Sequence, residues 1–141
     1  MQYQAKVKRV VDGDTLDLDI DLGFHITLSE RVRLMGIDTP ESRTRDLEEK
    51  RYGLGAKYRL IEMLEENDNE FILKSHGTGK YGRVLGELFH HSEDDYSINQ
   101  MLIDEGHAVA YFGGSKQEVK DALLEARKLS KEYVENHIEP L

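Results

Sequence analysis

The chain has 141 residues, no cysteine and a formal net charge of −9. We expect one domain over 1–141, because a chain of this length buries roughly 70% of the surface that its unfolded form exposes. Without cysteines, the sequence excludes disulfides, thiol chemistry and cysteine-held zinc. The negative charge argues against a general nucleic-acid binder, since affinity for a polyanion comes from lysine and arginine that neutralise phosphates. Any such function must be confined to a small cationic or metal-bearing site.

No apolar run approaches the roughly 20 residues that span a bilayer, so we expect no membrane partner. The first residues, MQYQAKVKRV, contain no long apolar stretch after their charges, and we expect no secretory signal within them. The compartment stays open between an intracellular protein and a secreted one that has already been trimmed.

Alternation of apolar and polar residues dominates the first third of the chain and predicts half-buried strands. Three strands are predicted there, over 5–12, 14–22 and 24–35. Gly13 separates the first two as a bend or bulge. The polar stretch 42–50, which follows a proline, predicts a mobile loop.

The rest of the chain predicts a helix, two strands and two further helices. The helix covers 53–66. The first of the two strands begins at Phe71, and the second covers 84–90. The last two helices begin near Ile98 and after Ser115. Each of the last two helices opens with a capping box, S-x-x-Q or S-x-x-E. Five short strands interrupted by a helix favour a small closed barrel of class α+β, with helices packed on one side.

Two acidic motifs stand at predicted strand ends, DGDT over 12–15 and DTPE over 38–41. Each places two carboxylates at a bend made by glycine or proline. Carboxylates in this arrangement form a hard-oxygen site that suits Ca²⁺ or Mg²⁺ and suits zinc poorly. Either motif alone more often only forms a turn and binds no metal.

Two arginines accompany the acidic motifs. Arg33 lies on the predicted third strand and precedes Asp38 in the sequence. Arg83 follows a Lys-Tyr-Gly run at the start of the predicted fifth strand. The planar guanidinium fork of arginine matches phosphate oxygens, although either arginine alone is more often a solvated surface residue. Carboxylates for a metal, a spare carboxylate and two arginines are together the parts of a metal-assisted phosphodiester hydrolysis.

Three segments, VVDGDTLDL, VRLMGIDTPE and TGKYGR, occur in this order and resemble the catalytic segments of the staphylococcal nuclease (thermonuclease) family. The resemblance covers about residues 5–135. It implies a five-stranded OB-fold β-barrel with three α-helices packed on one side. It also implies a calcium-dependent phosphodiesterase that acts on DNA and RNA.

The resemblance implies a metal site by position. Asp14 and Asp38 correspond to the two aspartates that bind Ca²⁺ in the family. The backbone carbonyl of Thr39 would be a further ligand, and Asp12 corresponds to an aspartate that holds water around the metal.

The resemblance also implies the catalytic and substrate-binding residues. Arg33 and Arg83 correspond to two catalytic arginines, and Glu41 to the general base. Three further positions correspond to residues that contact the nucleotide: Lys80, Tyr81 and, across an alignment gap, Tyr111. The chain departs from the family in its acidity, and in having glycines at 113 and 114 where relatives often place a second tyrosine.

Two functions of other classes remain open beside the nuclease. One is a catalytically weak or inactive OB-fold module that binds single strands, but such modules use basic grooves and stacking aromatics, and this chain is acidic and lacks tryptophan. The other is a calcium-stabilised protein-interaction domain, which leaves the two arginines unexplained. For the nuclease we expect a monomer that acts on DNA and RNA, with single-stranded or locally melted substrates favoured.

Overall fold

The computed structural model describes residues 1–141. Its strands are β1 (Gln2–Asp12), β2 (Thr15–Asp21), β3 (Thr27–Leu34), β4 (Ile37–Asp38), β5 (Glu70–Thr78), β6 (Val84–Phe89) and β7 (Val109–Ala110). Its α-helices are α1 (Leu47–Glu65), α2 (Ile98–Asp104) and α3 (Lys116–His137), and a single 3₁₀ turn covers Lys80–Gly82.

Five strands close into a barrel in the order β1-β2-β3-β6-β5. All neighbours are antiparallel except β3 and β6, which pair in parallel from Val32 opposite Val84 to Leu34 opposite Gly86. The predicted α+β class, with a five-stranded OB-fold barrel and three helices, is confirmed. Outside the barrel, β4 and β7 form a two-stranded sheet that the sequence did not reveal, because two-residue strands have no measurable periodicity.

The barrel interior follows the alternation seen in the sequence. Leu16, Leu18 and Ile20 of β2 are buried, while Leu22, the next apolar residue of the pattern, is exposed beyond the end of the strand. Helices α1 and α2 close the core with five more side chains, Leu60, Met63, Leu64, Ile98 and Leu102. Each large apolar side chain buried in this way contributes roughly 1.5–3 kcal/mol to folding.

The predicted mobile loop over 42–50 is wrong in its second half, because α1 begins at Leu47. The side chain of Asp46 caps the helix by accepting a hydrogen bond from the Glu49 N–H at 3.1 Å. The third strand also begins later than predicted, at Thr27. Phe24 and His25 adopt positive φ angles of 55° and 64°, which form a turn and interrupt the strand there.

Helix α3 packs against α1 rather than against the barrel interior. The approach is close because α1 carries Gly55, where an added Cβ would lie 2.8 Å from Val134 of α3. Ser97 and Ser115 cap α2 and α3 as predicted, their hydroxyls accepting hydrogen bonds from the N–H groups of Gln100 and Glu118, while the Gln100 side chain donates to Asp104 instead of completing a capping box.

A polar cluster joins the helices on their side of the barrel. Arg59 of α1 makes a two-pronged salt bridge to Glu105, at 2.7 and 3.2 Å. His107 lies buried beside it with its ring against Tyr133 of α3, and burial lowers the pKa of this histidine to about 4. None of the three helices combines the length and the apolar character needed to cross a membrane.

Candidate active site

The connection between β1 and β2 places Asp14 at the rim of the barrel. Asp12 pairs with Thr15, so that residues 13 and 14 make a tight turn. A Cβ on Gly13 would lie 2.7 Å from the Cβ of Ala56 in α1, so no larger residue fits between turn and helix without movement. The Thr15 hydroxyl donates a hydrogen bond to Asp14 Oδ1 at 2.9 Å and fixes the carboxylate.

The small sheet of β4 and β7 places the second aspartate. Asp38 pairs with Val109, and its Oδ1 accepts a hydrogen bond from the Thr39 N–H at 3.0 Å. The Thr39 hydroxyl donates to Asp14 Oδ2 at 3.1 Å and so links the two acidic motifs. Burial and then the charge of Asp14 raise the pKa of Asp38, as expected where like charges converge.

Arg33 lies between the two aspartates. It is opposite Thr15 in the pairing of β2 with β3, and its side chain is only 17% exposed. Its Nη1 lies 3.3 Å from Asp14 Oδ2, and its Nη2 lies 3.7 Å from Asp38 Oδ1. The side chain therefore turns into the site from a strand position that faces away from the barrel core.

Glu41 follows on a loop that lies directly on α1. The close approach requires Gly53, because a Cβ there would lie 2.5 Å from the Glu41 carbonyl oxygen. The Glu41 N–H donates to Glu49 Oε2 at 3.1 Å, and the Ser42 hydroxyl donates to Asp12 Oδ1 at 2.5 Å. Burial, then the charge of Glu49, then the nearby aspartates raise the pKa of Glu41.

Arg83 lies at the end of the 3₁₀ turn and directly precedes β6, the strand that pairs with the one carrying Arg33. Its Nε donates a long hydrogen bond of 3.5 Å to the Lys80 carbonyl oxygen, and it forms no salt bridge, unlike Arg33. Tyr81 is 91% exposed, adopts a positive φ of 62° and has its ring centre 5.7 Å from the Arg83 guanidinium carbon. The Arg83 guanidinium therefore has no carboxylate to neutralise it.

These side chains meet at one polar cavity of about 240 Å³. Seven predicted site residues line it: Asp12, Asp14, Arg33, Asp38, Thr39, Glu41 and Arg83. Sequence reasoning did not assign the three further lining residues, Thr15, Pro40 and Ser42, although the first two lie within the acidic motifs and the third directly follows one. Tyr111 lies instead in an adjoining cleft, and Lys80 and Tyr81 are exposed on the turn before Arg83.

The donor atoms at the cavity fit a hard divalent cation. Asp14 and Asp38 bring two carboxylates together, and no group of three histidine or acidic side chains is placed to hold a metal by itself. Water and substrate oxygens would complete the coordination, as Ca²⁺ and Mg²⁺ allow. The absence of sulfur and imidazole donors is unfavourable for zinc.

The sequence of the chain matches a known family over residues 31–136, described as "Staphylococcal nuclease homologue". The matched region contains Arg33, Asp38, Glu41 and Arg83, and it begins after the turn that carries Asp14.

Several characterised relatives are similar to most of the chain. The thermonuclease of Staphylococcus intermedius is 32% identical over 122 residues, which is 86% of this chain and 68% of that protein. Endonuclease YhcR of Bacillus subtilis is 28% identical over 99% of this chain, and protein ParB of Escherichia coli is 32% identical over 78% of it. The chain spans only 12% of YhcR and 58% of ParB. The family match and the similarity to a thermonuclease together show that the chain belongs to the staphylococcal nuclease family.

Proposed function

We propose that this chain is a calcium-dependent nuclease that hydrolyses phosphodiester bonds of DNA or RNA. The observation that carries the proposal is the convergence of Asp14, Asp38, Glu41, Arg33 and Arg83 on one polar cavity. The chain holds 28 acidic residues against 19 lysines and arginines. The cavity itself is lined by four carboxylates and two arginines, so a bound divalent cation would be needed to balance its charge and make it attractive to a phosphate.

The two arginines bind and polarise the phosphate. Attack on a phosphodiester builds negative charge on the oxygens of phosphorus, and guanidinium groups held in place oppose that charge. Arg83 is free to make a two-pronged contact, and Arg33 is held by Asp14 and Asp38. A calcium ion bound by these two aspartates would place further positive charge close to the same phosphate oxygens.

Glu41 is the proposed general base. It takes a proton from the attacking water as the new oxygen–phosphorus bond forms and the bond to the leaving oxygen breaks. Its backbone is fixed by Glu49 and by contact with Gly53, while its carboxylate lines the cavity. Asp12, held by Ser42 in the same wall, can accept a hydrogen bond from water in the cavity.

Substrate outside the scissile phosphate would meet three aromatic or cationic side chains. Lys80 and Tyr81 lie exposed beside Arg83. Tyr111 lines the adjoining cleft, and its N–H donates a hydrogen bond to the Gly36 carbonyl oxygen at 2.8 Å. Base–aromatic stacking is tolerant of sequence and requires an unstacked base, so we propose single-stranded or locally melted DNA and RNA as substrates of the monomer.

An activity assay across metal ions tests the proposal. Purified protein is incubated with single-stranded DNA, double-stranded DNA and RNA, in Ca²⁺, in Mg²⁺ and with a chelator. We expect cleavage in Ca²⁺ that chelation abolishes, because the single charge of Arg33 does not cancel the two aspartates, which would repel the phosphate without a divalent cation. The Asp38→Asn variant is the control for contaminating nucleases, since it retains the size of the side chain and loses a ligand.

The alternative functions give different outcomes. Binding of single strands without cleavage in any ion would support a non-catalytic OB-fold module and contradict the nuclease. Full activity in the presence of chelator would contradict the metal requirement.

A further inference from the structure

A second cleft shares a wall with the polar cavity. Its volume is about 460 Å³, and it includes Arg33, Asp38, Thr39 and Glu41 at the side nearest the cavity. The rest of its lining comes mainly from α3, through Lys116, Val119, Lys120, Leu123, Leu124 and Arg127. The volume suits one small ligand or a short length of a single strand, since small-molecule pockets commonly range from roughly 300 to 1,000 Å³.

Three cations on α3 face this cleft without acidic partners. Lys116, Lys120 and Arg127 all line it, and none forms a salt bridge. Two other lysines of the same helix, Lys128 and Lys131, pair with glutamates three and four residues away. In a chain with net charge −9, cations left unpaired along one face of a helix indicate a site for an anion.

Arg127 is the most enclosed of the three cations. Its Nε is buried and has no hydrogen-bond partner, and its guanidinium carbon lies 4.8 Å from the ring centre of Tyr52. The contact with Tyr52 holds the guanidinium at the cleft, where its other N–H groups could donate hydrogen bonds to a phosphate oxygen.

Apolar side chains lie between the cations. Val119, Leu123 and Leu124 line the cleft, and Leu124 is 46% exposed although it is a large aliphatic residue. Tyr111 lies at the same cleft and offers an aromatic face. Apolar and aromatic surface interleaved with unpaired cations is the arrangement that accommodates successive bases and phosphates of a single strand.

We propose that this cleft is an extended subsite for a single-stranded polynucleotide, in which Lys116, Lys120 and Arg127 bind phosphates beyond the scissile one. The inference rests on the proposed nuclease function and specifies its substrate as a chain longer than a dinucleotide. The lining of the cleft holds four cations, with Arg33, against the three carboxylates of Asp38, Glu41 and Glu49, so its charge is opposite in sign to that of the whole chain.

The test compares Lys120→Glu with Lys128→Glu, both in a Glu41→Gln background that suppresses cleavage. The two substitutions make the same change of charge on one helix, but only Lys120 lines the cleft. Fluorescence anisotropy in Ca²⁺ measures binding of a labelled dinucleotide and of a labelled single strand of about 12 nucleotides, at several salt concentrations. Lys120 is exposed, so the variant is expected to fold.

For Lys120→Glu we expect affinity for the longer strand to fall about tenfold, with the salt slope reduced by about 0.7 for the lost phosphate contact. Affinity for the dinucleotide should stay within about twofold, and Lys128→Glu should change neither. Equal effects of the two substitutions, or an equal loss for both ligand lengths, would overturn the subsite while leaving the nuclease proposal intact. Failure of the parent to bind nucleic acid of either length would overturn both.

Discussion

Replacing Arg83 by alanine is expected to lower the turnover of nucleic-acid cleavage by at least about 10²-fold while the protein stays folded. The loss follows from the free guanidinium at the cavity, which has no salt bridge to make in the protein and is available to the phosphate. Glu41→Gln should lose at least about 10²-fold as well, because the amide cannot accept the proton from water. Initial rates at saturating substrate in Ca²⁺ measure both losses.

Arg43→Ala is the matched control for Arg83→Ala. Arg43 is exposed on the loop after Glu41, lines neither cavity and carries the same charge. Its removal should change turnover by less than about twofold, since single exposed charges act weakly. A folded Arg83→Ala or Glu41→Gln variant with a near-normal rate would show that the residue has been given the wrong role.

Replacing Asn99 by alanine is expected to destabilise the protein by about 2–4 kcal/mol. Asn99 is 3% exposed and connects three segments of backbone. Its Nδ2 donates to the carbonyl oxygens of Met35 at 2.9 Å and Gly86 at 3.2 Å, and its Oδ1 accepts from the Leu88 N–H at 3.3 Å. Truncation leaves the buried Leu88 N–H without this acceptor, which costs about 1–3 kcal/mol, and removes the donor from the half-buried Met35 carbonyl, which costs about 1 kcal/mol more.

Urea unfolding of the Asn99→Ala and Gln100→Ala variants gives the comparison. Gln100 is the next residue of α2, but its side chain contacts only the exposed Asp104, so its removal should cost less than about 0.5 kcal/mol. A loss for Asn99→Ala no larger than that for Gln100→Ala would contradict the role of the amide. Cleavage activity should also fall, because Met35 leads directly into the strand that carries Asp38.

The barrel could be predicted because local chemistry and the final fold agree in most of its strands. Leu16, Leu18 and Ile20 alternate with aspartates, and this pattern has only one orientation that buries its apolar face. The start of α1 was missed because residues 42–50 have no apolar periodicity, and the cap by Asp46 determines where the helix begins. The sheet of β4 and β7 depends on pairing between distant segments, which no local pattern encodes.

The site could be predicted to the extent that its residues form contiguous motifs. Asp14, Asp38, Glu41 and the two arginines were found through three segments that resemble a known family, and the structure brings them to one cavity. The cations of α3 were not found, because Lys120 and Arg127 carry no motif and their spacing resembles that of any solvated helix face. Only the folded chain shows that they line the same cleft as Arg33 and form no salt bridge there.

A crystal of the protein soaked in Ca²⁺ and measured near an absorption edge for anomalous signal tests the metal site most directly. We predict one strong peak at about 2.3–2.6 Å from carboxylate oxygens of both Asp14 and Asp38, with the Arg83 guanidinium directed into the same cavity. Loss of the peak in Asp38→Asn crystals would confirm the ligand. No peak between the two aspartates, with Arg33 still bridging their carboxylates, would contradict a nuclease built around calcium.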